Sequence, residues 1–133
     1  MVDRVKPGVV LFAKDLGAVA EFYEGLVTPM VVSAQRDHVI LESDTFQLVV
    51  HAIPAEIAES IQIAAPPEPR TDAPIKPILA VVSLAEARAA APALGGELRP
   101  PEAEWELGGS RVCDGVDPEG NVVQFRESVE LGA

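Results

Sequence analysis

The chain has 133 residues, 48% of them hydrophobic, and a formal net charge of −11. That is enough for one globular domain burying about two-thirds of its extended-chain surface. So acidic a chain, with no run of Lys or Arg, argues against nucleic-acid and anionic-membrane partners, which are held through basic side chains. No apolar run reaches the roughly 20 residues of a membrane span, and residues 1–6 carry mixed charge with no secretory apolar stretch behind them. Cys113 is the only cysteine, which excludes an internal disulfide and a cysteine-built metal cluster. A cytoplasmic location is expected.

In chain order, Val9-Val10-Leu11-Phe12-Ala13 is too short for a helix and rich in β-formers, so it predicts a buried strand. Asp15 follows as a helix N-cap. Leu16, Val19, Ala20, Phe22, Tyr23 and Leu26 then recur at helical spacing, with Gly25 and Pro29 placed to end the helix. Three short β-patterned runs follow at 30–34, 38–41 and 46–51, with turns at Arg36-Asp37 and Ser43-Asp44. A short helix is expected over 54–61. Segment 64–74 holds four prolines and reads as a linker, since proline fits neither a helix interior nor a central strand.

The order then recurs. A strand is predicted at 77–82, Ser83 is a cap with Glu86 completing a capping box, and 85–94 is an alanine-rich helix weakened by Pro92 and stopped by Gly95-Gly96. Strands follow at 97–98, 110–115 and 122–127, with Asp117-Pro118-Glu119-Gly120-Asn121 as the turn before the last. Leu16 aligns with Leu84 at an offset of 84 − 16 = 68, which also sets Asp15 on Ser83 and Val10-Leu11 on Ile78-Leu79. An internal repeat of this kind governs the reading of the whole chain.

On these residues the sequence resembles the vicinal-oxygen-chelate (VOC) superfamily of glyoxalases, bleomycin-resistance proteins and dioxygenases. The first half is similar in its opening strand, its Asp15-Leu16 helix start and its Phe22-Tyr23 pair; the second in Asp117-Pro118-Glu119-Gly120-Asn121 and the closing strand to Phe125. The resemblance implies an α+β fold: two βαβββ modules forming an open barrel around a cleft. It divides one domain, 1–133, into modules 1–63 and 75–133 with the linker 64–74 between them. Metal-using relatives hold an ion with His, Glu or Gln from the first and last strands of each module. The resemblance and the offset of 68 set Gly8, Gln47, Lys76 and Gln124 at those places. Glycine has no donor atom, an ammonium repels a cation, and two neutral amides do not balance a divalent charge. No metal and no other cofactor is therefore expected.

Alternation along strands sets Gln47, Val49 and His51 on one face, and Val122, Gln124 and Arg126 on another. If His38 shares such a face, Ile40 and Glu42 accompany it. Trp105, the sole tryptophan, is read in a loop over 100–109, between Pro-Pro and Gly-Gly, set over the cleft. The expected ligand-binding set is Gln47, Val49, His51, Lys76, Trp105, Gln124 and Arg126, an apolar lining with sparse polar groups. The plainer reading makes His51 a rim histidine, His38 solvent-facing, Lys76 the partner of an acid, and Cys113 a small buried hydrophobe. The function this points to is metal-free binding of a small organic molecule by a glyoxalase/bleomycin-resistance-like homodimer. The alternatives are a VOC enzyme of lyase, isomerase or dioxygenase type, with an atypical metal site or acid–base chemistry at His51 or Lys76, and a degenerate domain kept for dimerisation.

Overall fold

The structure is a computed structural model that describes residues 5–27 and 30–128. Strand β1 (Gly8–Ala13) leads into helix α1 (Leu16–Leu26). Asp15 caps that helix by accepting the Ala18 N–H at 3.1 Å. Val19, Ala20, Phe22, Tyr23 and Leu26 form its buried stripe. Pro29, expected to help end α1, lies outside the described residues; Val27 N–H closes the last turn on Tyr23 O at 3.0 Å. Strands β2 (Val31–Ala34), β3 (His38–Glu42) and β4 (Gln47–Ala52) follow, then a single turn of helix, α2 (Ala55–Ala58).

The second half repeats the plan with β5 (Ile78–Ala80) and α3 (Leu84–Ala90). Ser83 Oγ caps α3 by accepting Glu86 N–H at 3.1 Å. Pro92 cannot continue an α-helix, so the chain tightens into a 3₁₀ turn over Ala91–Leu94. Strands β6 (Glu97–Leu98), β7 (Trp105–Leu107), β8 (Ser110–Val116) and β9 (Val122–Ser128) complete the chain.

The first sheet has the order β1-β4-β3-β2 and the second β5-β9-β8-β6, with β1 parallel to β4 and β5 parallel to β9. Both β6 and β7 pair antiparallel with β8, at its two ends. They are two pieces of one edge strand, interrupted by Pro100 and the 3₁₀ turn Pro101–Ala103, so the second half is also a βαβββ unit. Trp105 therefore stands in a strand and not in the loop that Pro-Pro and Gly-Gly suggested. The pair Gly108-Gly109, with φ of 57° and 86°, is a two-residue hairpin turn, and positive φ at both positions is what such a turn requires.

One buried cluster joins the halves. It contains the α1 stripe, Leu41, Leu48 and Val50 from the first sheet, Leu84 from α3, and Leu79, Cys113, Val123 and Phe125 from the second sheet. Phe22 meets Phe125 edge-on at 6.3 Å between ring centroids. The Asp117–Asn121 turn does more than reverse the chain. Asp117 is fully buried and accepts Tyr23 Oη–H at 2.7 Å from the other half. Glu119, also buried, accepts Lys14 N–H at 2.9 Å and Asp15 N–H at 2.7 Å, so its carboxylate sits at the start of α1, where negative charge is favoured. The linker is tied to the same turn through Arg70, whose N–H reaches Gly120 O at 2.8 Å.

Candidate functional site

Each sheet has a face under the helices and a face that is open. Val39, Leu41, Leu48 and Val50 are buried on the helix side of the first sheet. Strand alternation then sets Gln47, Val49 and His51 on its open face. Register arranges that face in rows: Gly8, Gln47 and Glu42; Val10, Val49 and Ile40; Phe12, His51 and His38. Phe12 is 60% exposed. His38 and His51 accordingly share this face, as their strands' alternation allowed.

On the second sheet Leu79, Cys113, Val123 and Phe125 are buried, and alternation sets Ile78, Ala80, Gln124, Arg126 and Asp114 on the other face, together with Val112, which is itself fully buried. Trp105 pairs with Val112 and joins them. It is 39% exposed and Ile78 50%, so this face too is apolar and partly uncovered. The expected binding residues thus fall into two groups, Gln47, Val49 and His51 on one sheet and Lys76, Trp105, Gln124 and Arg126 on or beside the other.

The polar groups are paired in a way that repeats. Lys6 Nζ meets Glu42 Oε2 at 3.0 Å, and Gln47 Nε2 donates to the same oxygen at 3.3 Å. The hydrogen bond from Lys6 holds the Glu42 carboxyl below the usual carboxylate range. In the second half Lys76 Nζ meets Asp114 Oδ2 at 2.8 Å, and Arg126 Nε donates to Gln124 Oε1 at 2.7 Å. Asp114 is the register partner of Gln124, as Glu42 is of Gln47.

This repeat runs at 76 − 6 = 70 and not at 68. Pro7 O accepts Gln47 N–H at 3.0 Å, and Pro77 O accepts Gln124 N–H at 2.9 Å. The counterpart of Gly8 beside the glutamine is therefore Ile78, not Lys76. The helix caps keep the offset of 68 because the first half spends 15 − 7 = 8 residues from that proline to its cap, and the second 83 − 77 = 6. Lys6 and Asp114 were missed in the sequence. The signal was present as the recurring dipeptides Lys6-Pro7 and Lys76-Pro77.

The positions that the sequence resemblance implies for a metal offer few donors. A Cβ built on Gly8 would lie 2.0 Å from Gln47 O, so no donor side chain fits at that position without parting β1 from β4. Ile78 is apolar, and Lys76 is a cation engaged with Asp114.

A groove of about 820 Å³ runs between the β3–β4 turn and β5, where Lys6 and Glu42 face Val31, Phe46, Ile78 and Ala80. It brings a charged pair and an apolar wall from the two sheets together, the composition a small-molecule site needs. A cavity of about 740 Å³ on the helix side is bordered by Lys14, Pro92 and Pro118; of its three carboxylates, Asp15 and Glu119 are committed to helix capping and Glu97 is exposed. None of the seven expected binding residues lines either cavity; the groove meets the open face of the second sheet through Ile78 and Ala80.

The fold is that of the glyoxalase/bleomycin-resistance/dioxygenase proteins. A family enzyme of that description from Burkholderia phytofirmans PsJN superposes with a TM-score of 0.61 at 18% identity, over 91% of this chain and 96% of that one. A glyoxalase/bleomycin resistance protein from Albidiferax ferrireducens T118 gives 0.63 at 17%, over 91% and 96%. A bleomycin-binding protein complexed with bleomycin gives 0.54 at 20%, over 96% and 99%. At these identities the likeness is one of fold. No protein-family model and no curated protein sequence matches the chain. Among the described residues no helix is long and apolar enough to cross a membrane.

Proposed function

We propose that this protein binds a small organic molecule, without a metal at the positions its structural relatives use, and that it does so as a cytoplasmic homodimer. The observation that carries the reading is the pair of open apolar sheet faces. Each bears a Lys–carboxylate pair and a glutamine where a metal-binding protein would present its ligands. Paired charges and amides can hydrogen-bond a neutral or zwitterionic ligand without a cation to balance them. Exposed side chains such as Phe12 and Ile78 favour a second copy covering these faces, since large apolar patches mark interaction surfaces and C₂ pairing is the commonest solution. A structural relative is a bleomycin-binding protein, which makes metal-free bleomycin a suitable first probe beside simpler zwitterionic aromatics.

Trp105, on the open face of the second sheet, is the natural reporter. Titration of the probes is expected to change its fluorescence saturably. Gln124→Ala should weaken binding about tenfold, the worth of one hydrogen bond of roughly 1.4 kcal/mol. Light scattering at micromolar concentration should give twice the chain mass of 14.0 kDa. A monomer would remove the dimer, and a flat titration across the whole probe set would remove the binding function.

A further inference from the structure

At the far end of the first sheet from Gly8, three potential ligands converge. His38 on β3 and His51 on β4 are register partners, and their rings stack at 5.8 Å with planes 9° apart. Asp37, in the turn before β3, lies against both. Its Oδ1 is 2.7 Å from His38 Nδ1 and its Oδ2 3.8 Å from His51 Nε2. One ligand atom from each of the three lies within 4.8 Å of the others. We propose that Asp37, His38 and His51 form a binding site for one divalent ion of the zinc class.

Three features make this more than a chance meeting of side chains. The backbone holds the turn in place, with Ala52 N–H donating to Asp37 O and Gln35 N–H to His38 O, each at 2.8 Å. His51 Nδ1 lies 2.8 Å from Ala52 O; donation there leaves the Nε2 lone pair free on the Asp37 side, the arrangement by which a backbone carbonyl orients a metal-binding histidine. Phe12 packs over the His51 ring at 5.8 Å between centroids and limits its swing.

Two imidazoles and a carboxylate are a ligand set that zinc accepts, and three protein ligands leave a fourth position open. Bonds of about 2.0–2.1 Å in a tetrahedron require ligand atoms roughly 3.3 Å apart. The wider separations, all within 4.8 Å, must close and the 2.7 Å His38–Asp37 contact must open as an ion enters, both within reach of rotation of the exposed Asp37 side chain. Ile40, Val49 and Phe12 lie on the same face of the sheet. The site lies about 13 Å along β4 from Gln47, four residues at the rise of a strand, so it is separate from the positions used by the structural relatives.

His38 and His51 are the only histidines of the chain, which makes the test direct. Tag-free protein is titrated with Zn²⁺ while the two imidazole Hε1 resonances are followed by NMR, with stoichiometry taken from calorimetry. Both resonances should shift together and saturate at one ion per chain. His38→Ala and His51→Ala, checked for folding by circular dichroism, should each weaken the affinity by more than the roughly 10–100-fold that loss of a mere supporting partner costs. Movement of one histidine alone, no saturable binding, or Zn²⁺ binding that survives either substitution in folded protein would overturn the site. Because Gln124 and Trp105 take no part, this outcome is read independently of the organic-ligand titration.

Discussion

Asp117→Ala is expected to destabilise the protein by about 3–5 kcal/mol, measured as a lower urea midpoint at unchanged slope. The carboxylate is fully buried and accepts four hydrogen bonds: from Tyr23 Oη at 2.7 Å, Glu119 N at 2.9 Å, Asn121 N at 3.0 Å and Asn121 Nδ2 at 2.8 Å. Alanine leaves those donors facing a site too enclosed to hydrate them all, and each buried unsatisfied donor costs roughly 1–3 kcal/mol. Asp117→Asn keeps one acceptor oxygen and should lose clearly less. A loss below about 1 kcal/mol for the alanine variant would mean that the turn, and not its buried acid, holds the halves together. The same contact sets an alkaline limit. Burial, and then the Asp117 charge and hydrogen bond, push the Tyr23 phenol well above its usual range. The stability due to neutral Tyr23 is thus present below the unfolded value of about 10 and falls away as the pH rises beyond it. Tyr23→Phe should flatten stability against pH in that window.

Phe125→Ala should cost a comparable 3–5 kcal/mol, the range for emptying a buried aromatic site. Phe125 is wholly buried, on the helix side of β9, and its ring meets Phe22 of α1 edge-on. The cavity would open where the two modules share one core, and backbone on both sides, from β9 and α1, resists its collapse. Phe125→Leu, which keeps most of the apolar volume, should lose less. Because the buried cluster is common to both halves, thermal and urea unfolding of the alanine variant should remain a single transition. Two separated transitions would show that each βαβββ unit is stable alone.

Much of the fold was legible because it rests on local rules. Apolar periodicity and an Asp cap placed α1 at its observed bounds, and the Ser83 cap located the start of α3, although the helix expected over 85–94 stops at Ala90 and gives way to a 3₁₀ turn. The strand at Trp105 is not legible locally, because Gly108-Gly109 reads equally as a loop border and, between β-formers, as a hairpin turn. In the site, alternation alone determined that Gln47, Val49 and His51 share a face and that Gln124 and Arg126 share another, since successive strand residues must point opposite ways.

Sequence by itself therefore determined the element order, the repeated unit, the faces of the strands and the absence of a donor at position 8. Only the tertiary structure decided which neighbours those faces acquired. Strand pairing is long-range, so periodicity names a side chain's face but not the strand beside it. That is why the pairing offset of 70, the Lys6–Glu42 and Lys76–Asp114 pairs, and the meeting of Asp37 with His38 and His51 all came from the folded chain. The Asp117 carboxylate makes the same point. Turn chemistry predicted where it stands, but packing of α1 against the second module buried it and gave it Tyr23 as a partner 94 residues away in the chain.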